Sequence, residues 1–447
     1  MTENSLLTAP IPKLYLRYVL PAMAAMVLDG IQGIVDGIFI GNFVGPEAMA
    51  SVNIANPYFQ IIIGSSMVIC TGTMSAAGRA LGAGKLWEAK DVYRSALAVL
   101  GCISLLLLLA GRLFYTPIAR FLGADELLIE NAGRYIRTLA LFVPVISFKI
   151  IFGFTGRLAE KPQLYLAGTV STLLTNVLLD FLAVKILRLG VTGAAAATGL
   201  AYLAGLCVTC RPFLRRDTVL NIFDGAFRPG RILRAAFNGS SEGVTYAANA
   251  LTVFLLNRSF MGFAGAGGVA AFTVISYAGN FVTLLMFGMS DGISPILSNN
   301  YGAGNAGRIR KTLAAALAAN FALGLFLFAL FSLFGEHLIR VFVNSPEDAP
   351  VIAMAAHGAK IYGLCFLANG FNILQSGYHT ALGDAVSSIA IAASRGIVFI
   401  IAGLALFSSL WGINGVWFTL PFAEFMTVFC CLAILGLKRK KGTEKRV

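Results

Sequence analysis

Charge is scarce in this sequence. Asp, Glu, Lys and Arg make up 12% of its 447 residues, against about 25% in a soluble domain. With 57% apolar residues, a water-soluble globule would expose large apolar patches, and that class is excluded. Acids are scarcer than bases, 21 against 34, and the net charge is +13. The bases cluster in loops and in the C-terminal tail, a pattern of membrane topology that argues against a nucleic-acid partner. Of the seven cysteines (Cys70, Cys102, Cys207, Cys210, Cys365, Cys430, Cys431), nearly all lie in apolar runs. Cys207 and Cys210 form a CxxC with no second CxxC or His pair beside it, so apolar packing is expected of them, not zinc or redox chemistry. A phosphate loop is missing as well. Near Gly82-Ala83-Gly84-Lys85, Arg79 occupies the place of the first glycine and Leu86 that of the Ser/Thr, so ATP-driven chemistry finds no support. With no Ser/His/Asp triad and no metalloprotease motif, an enzyme is not expected, and neither is a cofactor.

What the sequence has in abundance is long hydrophobic runs. A crossing needs about 20 apolar residues, and twelve can be placed: 14–42, 53–78, 92–113, 134–156, 164–187 and 193–213, then 236–262, 269–297, 311–334, 358–382, 388–408 and 414–436. The polar stretch 1–12 runs directly into the first span, so no cleavable signal is expected. Pro21 favours a bend in that span. Of the 34 basic residues, 23 fall on the side of the two termini and nine on the other. The bias places both termini in the cytoplasm and requires an even number of crossings.

The two halves repeat. Phe43-Val44-Gly45 aligns with Phe263-Ala264-Gly265, and Leu81-Gly82-Ala83-Gly84 with Tyr301-Gly302-Ala303-Gly304, both at an offset of 220. Gly190-Val191-Thr192-Gly193 resembles Gly412-Ile413-Asn414-Gly415 at an offset of 222. Each half crosses an even number of times, so the repeats are parallel and related by an axis along the membrane normal. The expected fold is an all-α integral membrane protein of twelve helices, in two parallel six-helix repeats around a central cleft. Its expected parts are an N-lobe over 1–215, a cytoplasmic linker over 216–234, a C-lobe over 235–437 and a basic tail over 438–447. Two bundles that rock about a cleft suit a transporter working by alternating access.

Ionisable groups inside spans are costly, which makes them functional candidates. Asp36 lies mid-span in the first helix. Asn176 and Asp180 are four apart in the fifth and share a helix face, and Thr198 near the start of the sixth adds a hydroxyl. Two carboxylates, an amide oxygen and a hydroxyl form an all-oxygen set that suits a hard cation such as Na+. Adjacent carboxylates also resist joint ionisation, so the same set suits a proton. For Na+, the ligands would be Asp36, Asn176 and Asp180. The competing reading of each residue is a structural hydrogen bond between helices. In the second half, Asn257 stands roughly where Asp36 would repeat. The candidates there for a substrate or second proton site are Glu242, Asp291 and His379, with Glu424 beside them. Asp291, ahead of Gly292 and Pro295, also reads as the cap of a broken helix.

These residues resemble the multidrug and toxic compound extrusion (MATE) family. The resemblance lies in Pro21…Val35-Asp36-Gly37-Ile38-Phe39-Ile40-Gly41, in Asn176-Val177-Leu178-Leu179-Asp180 followed by Gly193-Ala194-Ala195-Ala196-Ala197-Thr198, and in Gly292-Ile293-Ser294-Pro295…Tyr301-Gly302-Ala303-Gly304. It runs from about Leu14 to Leu437. It implies an antiporter of the plasma membrane that exports organic cations or drugs in exchange for Na+ or H+, with Asp36, Asn176, Asp180 and Thr198 as the N-lobe cation site. Glu242 resembles an acid in the seventh span of some members. The expected partners are membrane lipid and small organic cations, and the expected state is a monomer. The alternative is a lipid-linked saccharide flippase of a related fold. It needs free basic residues in the cleft to hold a diphosphate, and only Lys149 and Arg395 lie within spans to serve.

Overall fold

The computed structural model describes residues 4–340 and 349–440. Among them there are helices and turns but no strand, as the bilayer demands of a chain whose backbone groups must pair within each segment. A four-residue helix, α1 (Ser5–Thr8), precedes α2 (Ile11–Phe43), α3 (Pro46–Gly82) and α4 (Leu86–Leu113). The short α5 (Tyr115–Phe121) leads to a bent pair, α6 (Ile129–Ala140) and α7 (Val143–Thr155), which meet at 53°. α8 (Gln163–Asp180) continues into a π-helical turn, Phe181–Ile186, and α9 (Gly190–Cys210) completes the N-lobe.

The C-lobe opens with α10 (Pro229–Gly302) and α11 (Ala306–Arg340). A second bent pair follows, α12 (Ala349–Gly363) and α13 (Cys365–Leu382), at 46°. α14 (Ala385–Ala393), a π-helical turn at Ser394–Val398, α15 (Phe399–Trp411) and α16 (Ile413–Lys440) complete it. The expected tail over 441–447 lies outside the described residues.

α10 cannot be one crossing. Its 74 residues would span about 110 Å as a straight helix, several times the hydrocarbon thickness. The helix turns at Gly265, whose φ of 59° and ψ of −151° are not helical. Ala235 and Gly302, near its two ends, both pack on α3, so α10 is a hairpin of two crossings. Among the described residues, nine helices are long and apolar enough to span, eleven spans result when each bent pair is joined, and the α10 hairpin supplies the twelfth.

The repeat is written in the backbone. Gly45 and Gly265, Gly84 and Gly304, and Gly190 and Gly412 each occupy matching places in the halves, and all six have positive φ. A Cβ is disfavoured there, which explains why the turns kept their glycines while the helices diverged.

One boundary differs from the sequence expectation. The linker ends at Arg228, because Pro229 and the residues after it are already helical. Proline at the first helical position has the required φ and lacks only an N–H that would be unpaired anyway. The linker also lies against α4. Lys90 pairs with Asp224 at 2.6 Å, and the Ala226 N–H donates to Asp91 at 2.8 Å.

The lobes meet at the end that bears the termini. A Cβ on Gly82 would lie 1.9 Å from the Asn299 carbonyl oxygen, and one on Gly302 would lie 2.0 Å from that of Arg79. These are equivalent positions at an offset of 220, so the contact is reciprocal about the internal axis. Gly72 against Ala235 and Gly239 against Val68 are equally close, each with a Cβ-to-oxygen distance of 2.0 Å. An apolar cluster of Tyr15, Val19, Met289, Ile293 and Leu297 fills the seam. α1 spans it: Ser5 bonds Glu160 of the N-lobe, while the Leu6 carbonyl accepts from Asn300 and Arg308 of the C-lobe. Near the other end, a Cβ on Gly33, Gly37 or Gly262 would meet nothing within 4 Å.

Candidate functional site

The four N-lobe candidates converge. Asp36 of α2 and Asp180 of α8 lie within interaction range of each other and of the Asn176 amide. Asn176 is 0% and Asp180 1% exposed, while Asp36 is half-buried. Thr198 of α9 donates to the Ala194 carbonyl at 3.0 Å. Tyr135 of α6, which sequence reasoning passed over, joins the group through Thr198 and both carboxylates. The π-helical turn begins directly after Asp180, and such turns often mark functional positions.

The polar atoms of this cluster are under-used. Among the described residues, one oxygen of Asp36, both of Asp180 and both polar atoms of the Asn176 amide make no hydrogen bond of good geometry, although the three side chains lie close enough to interact with one another. Buried groups of this kind are costly unless something pairs with them. An oxygen-rich set with two carboxylates fits a small monovalent cation or a proton.

A second polar site lies in the C-lobe, against α3 of the N-lobe. A cavity of about 30 Å³ is lined by Thr71, Glu242, Thr245, Asp291, Asn372 and Arg395, with the Phe287 ring beside them. That is room for about two waters or one small cationic group. Glu242 and Asp291 are brought together here. Asp291 caps nothing, because α10 stays helical through Pro295 to Gly302. At an offset of 220 it is the counterpart of Thr71, which also lines the cavity, so the cavity sits on the internal axis.

His379 does not join them. Its Nδ1 lies 2.9 Å from Asp384, which is also paired with Lys438. An apolar run shows that a residue is in a span but not its depth, and His379 falls in the last turn of α13. Glu424 is committed too. Its carboxylate accepts from Arg395 at 2.6 Å and from Asn372 at 2.8 Å, and Arg395 also reaches Asn369 at 2.8 Å. Removing one partner of such a pair leaves a buried charge alone. Glu424→Ala should therefore destabilise the fold by about 3–5 kcal/mol, seen as a lower thermal midpoint, with Glu424→Gln losing less.

Two further cations are buried. Lys149, placed within a span by the sequence, is 1% exposed and lies 3.7 Å from Asp29, whose other oxygen accepts from Tyr165 at 2.8 Å. Asp29 itself was detectable: it precedes Asp36 by seven residues on the same helix face. Arg157 was counted among the loop bases. It is 1% exposed, wedged between the rings of Phe154 and Tyr165 and against α10. Its loop-like sequence context hid a contact made by the other lobe.

A family profile described as MatE matches residues 21–182 and again residues 244–405. The chain belongs to the MatE family. The double match reproduces the repeat, one copy per lobe. Among curated proteins, the multidrug export protein MepA of Staphylococcus aureus (strain bovine RF122 / ET3-1) is 24% identical over 442 residues, 97% of this chain and 96% of that protein. MepA of Staphylococcus saprophyticus is 24% identical over 438 residues, 96% of this chain and 94% of that protein. Among solved structures, a MATE in complex with MaL6 has 23% identity and a TM-score of 0.90 over 100% of both chains. A MOP superfamily transporter from Pyrococcus furiosus, described as having a binding pocket of reverse polarity, has 22% identity and a TM-score of 0.91 over 100% of this chain and 99% of that one.

The MatE fold is thus shared by proteins with different pockets, and function has to be argued from the site. In this MatE chain the two intramembrane bases named for a flippase are both engaged with carboxylates, Lys149 with Asp29 and Arg395 with Glu424. Neither is free to hold a diphosphate, and the cavity's remaining charges are the acids Glu242 and Asp291.

Proposed function

We propose that this protein is a secondary active antiporter of the cytoplasmic membrane. It exports small organic cations or drugs in exchange for Na+ or H+ by alternating access. The observation that carries the proposal is the N-lobe cluster of Asp36, Asn176, Asp180 and Thr198, in which oxygens of Asp36, Asn176 and Asp180 make no hydrogen bond of good geometry among the described residues. A carrier needs such a site only if something small enters and leaves it. The names of the curated relatives, multidrug export proteins, favour drugs as cargo, and the acids of the C-lobe cavity favour a positive charge on them.

Both termini lie in the cytoplasm by the distribution of Lys and Arg, so the packed seam at their end is the cytoplasmic one. The coupling ion reaches the N-lobe site from outside and neutralises Asp36 and Asp180. Neutralisation removes the repulsion between the two carboxylates and lets α2 and α8 close together. The lobes then rock, exposing the cleft to the cytoplasm, where the ion leaves and cargo is taken up. In a one-for-one exchange with a monovalent cargo no net charge crosses, so the concentration gradient of the ion drives export: a tenfold gradient supplies about 1.4 kcal/mol and sustains about a tenfold gradient of cargo. The protein works as a monomer in direct contact with lipid.

Vesicles containing the purified protein test this. An imposed Na+ gradient, or an imposed pH gradient, should drive ethidium against its own concentration gradient. Movement of ethidium only down its gradient, whatever ion gradient is imposed, would contradict the proposal.

A further inference from the structure

Pro295 has no N–H, so the carbonyl of Asp291, four residues earlier in α10, has lost its helical donor. The other lobe supplies one. Nη1 of Arg157 donates to that carbonyl at 3.0 Å. The guanidinium is held for the task, 4.5 Å from the Phe154 ring centre and 5.0 Å from that of Tyr165. Flat, weakly hydrated guanidinium groups suit such a slot. Among the described residues Arg157 makes no ion pair within 4 Å, and its Nη2 has no hydrogen-bond partner. Its electrostatic partner is the Asp291 carboxylate, which lines the cavity together with Glu242.

The charges around the cavity then sort by lobe. Arg395 is neutralised by Glu424 and Lys149 by Asp29. Asp291 of the C-lobe is left beside Arg157 of the N-lobe, which has no ion pair within 4 Å among the described residues.

We infer that Arg157 is the interlobe counter-ion of the cargo cavity, docked on the carbonyl that Pro295 frees and balancing Asp291 until a cationic cargo neutralises that acid from the cavity side. The inference rests on the reading that Glu242 and Asp291 receive cationic cargo. It adds a positioning residue to that site and a reason why cargo loosens the seam. With Asp291 neutralised by cargo, Arg157 holds the C-lobe only through the Asp291 carbonyl, and the lobes part more readily. Without cargo the attraction pulls the seam shut.

The test is ethidium binding to the purified full-length protein in nanodiscs, read by fluorescence polarisation, together with ethidium transport in vesicles. Glu242→Gln should raise the Kd at least about fivefold, since a facing carboxylate is lost. An unchanged Kd would defeat the reading of the cavity itself. Arg157→Gln should do the opposite, lowering the Kd at least about threefold because a competing positive charge is gone. In transport, KM and kcat should fall together. Arg157→Lys keeps the charge and should not tighten binding. A purely structural role for Arg157 gives no tightening in any variant. If Arg157→Gln leaves the Kd unchanged or higher while Glu242→Gln has its effect, the inference is overturned and the cavity reading stands. If Arg157→Gln cannot be purified in monodisperse form, Pro295→Ala decides by the same criterion. It returns an N–H to the Asp291 carbonyl, loosens the dock without altering any charge, and should tighten binding in the same direction. No tightening would overturn the inference.

Discussion

Asp36→Asn is expected to abolish gradient-driven ethidium export while leaving a folded, membrane-inserted protein. The residue is half-buried in the N-lobe cluster, and the nearby Gly33 and Gly37 have open space beside them. The amide fits the same volume, so packing is preserved. What is lost is charge. At about 4 Å and an effective dielectric of about 20, one carboxylate is worth about 4 kcal/mol to a monovalent cation, close to three decades of affinity. The amide keeps one oxygen ligand, so the expected loss of ion affinity is about ten- to a thousand-fold. Proton coupling fails as well, since an amide does not titrate. Asp180→Asn should give the same phenotype. The measurement is ethidium accumulation in vesicles under each imposed gradient, with downhill ethidium leak as the control. Unimpaired gradient-driven accumulation in Asp36→Asn would remove that residue from the coupling site.

The second large effect is expected at the seam. Gly82 and Gly302 press on the Asn299 and Arg79 carbonyl oxygens, at distances where a Cβ would overlap backbone oxygen. Backbone cannot rotate aside as a flexible side chain does, so Gly82→Ala with Gly302→Ala must push the lobes apart at the end of the termini. Overpacking costs about 1–3 kcal/mol per site. Two reciprocal sites then shift the balance between the two facing states by roughly thirty-fold or more. The substitutions should leave each lobe's own core intact, because the clash lies between lobes. Spin labels at positions 47 and 266, at the far ends of the two helical hairpins, report the gap. The double variant should shorten the distance between them and slow transport, while the protein remains monodisperse. An unchanged distance distribution would mean that the seam closes by another contact.

The scaffold was legible because its constraints are local. Gly45 and Gly265 stand out in sequence as a repeat, and in the structure both adopt the positive φ that their turns require. The N-lobe candidates were legible because a carboxylate within an apolar run has few reasons to be there. Tyr135 was not, since an aromatic residue in a helix reads as packing until its hydroxyl is seen beside Thr198. Arg157 was misplaced for a related reason. Its neighbours Glu160 and Lys161 are polar, and only the arrival of α10 from the other lobe buries it. Residues whose role depends on the meeting of two lobes leave little trace in the periodicity of one. His379 shows the converse: its apolar surroundings suggested a cleft position, but Asp384 and Lys438 hold it at the end of its helix.

The central claim, an N-lobe site that binds a coupling ion, is tested most directly without any cargo. The thermal midpoint of the purified protein is measured against NaCl, with choline chloride at equal ionic strength, and across pH. A ligand that binds only the folded state raises the midpoint by mass action. For Na+ coupling, the wild type should gain stability with NaCl but not with choline chloride, and Asp180→Asn should lose that gain. For H+ coupling, the wild type should be indifferent to Na+ but pH-dependent in a way that Asp180→Asn flattens. A wild type and an Asp180→Asn variant with the same response to both Na+ and pH would contradict the account.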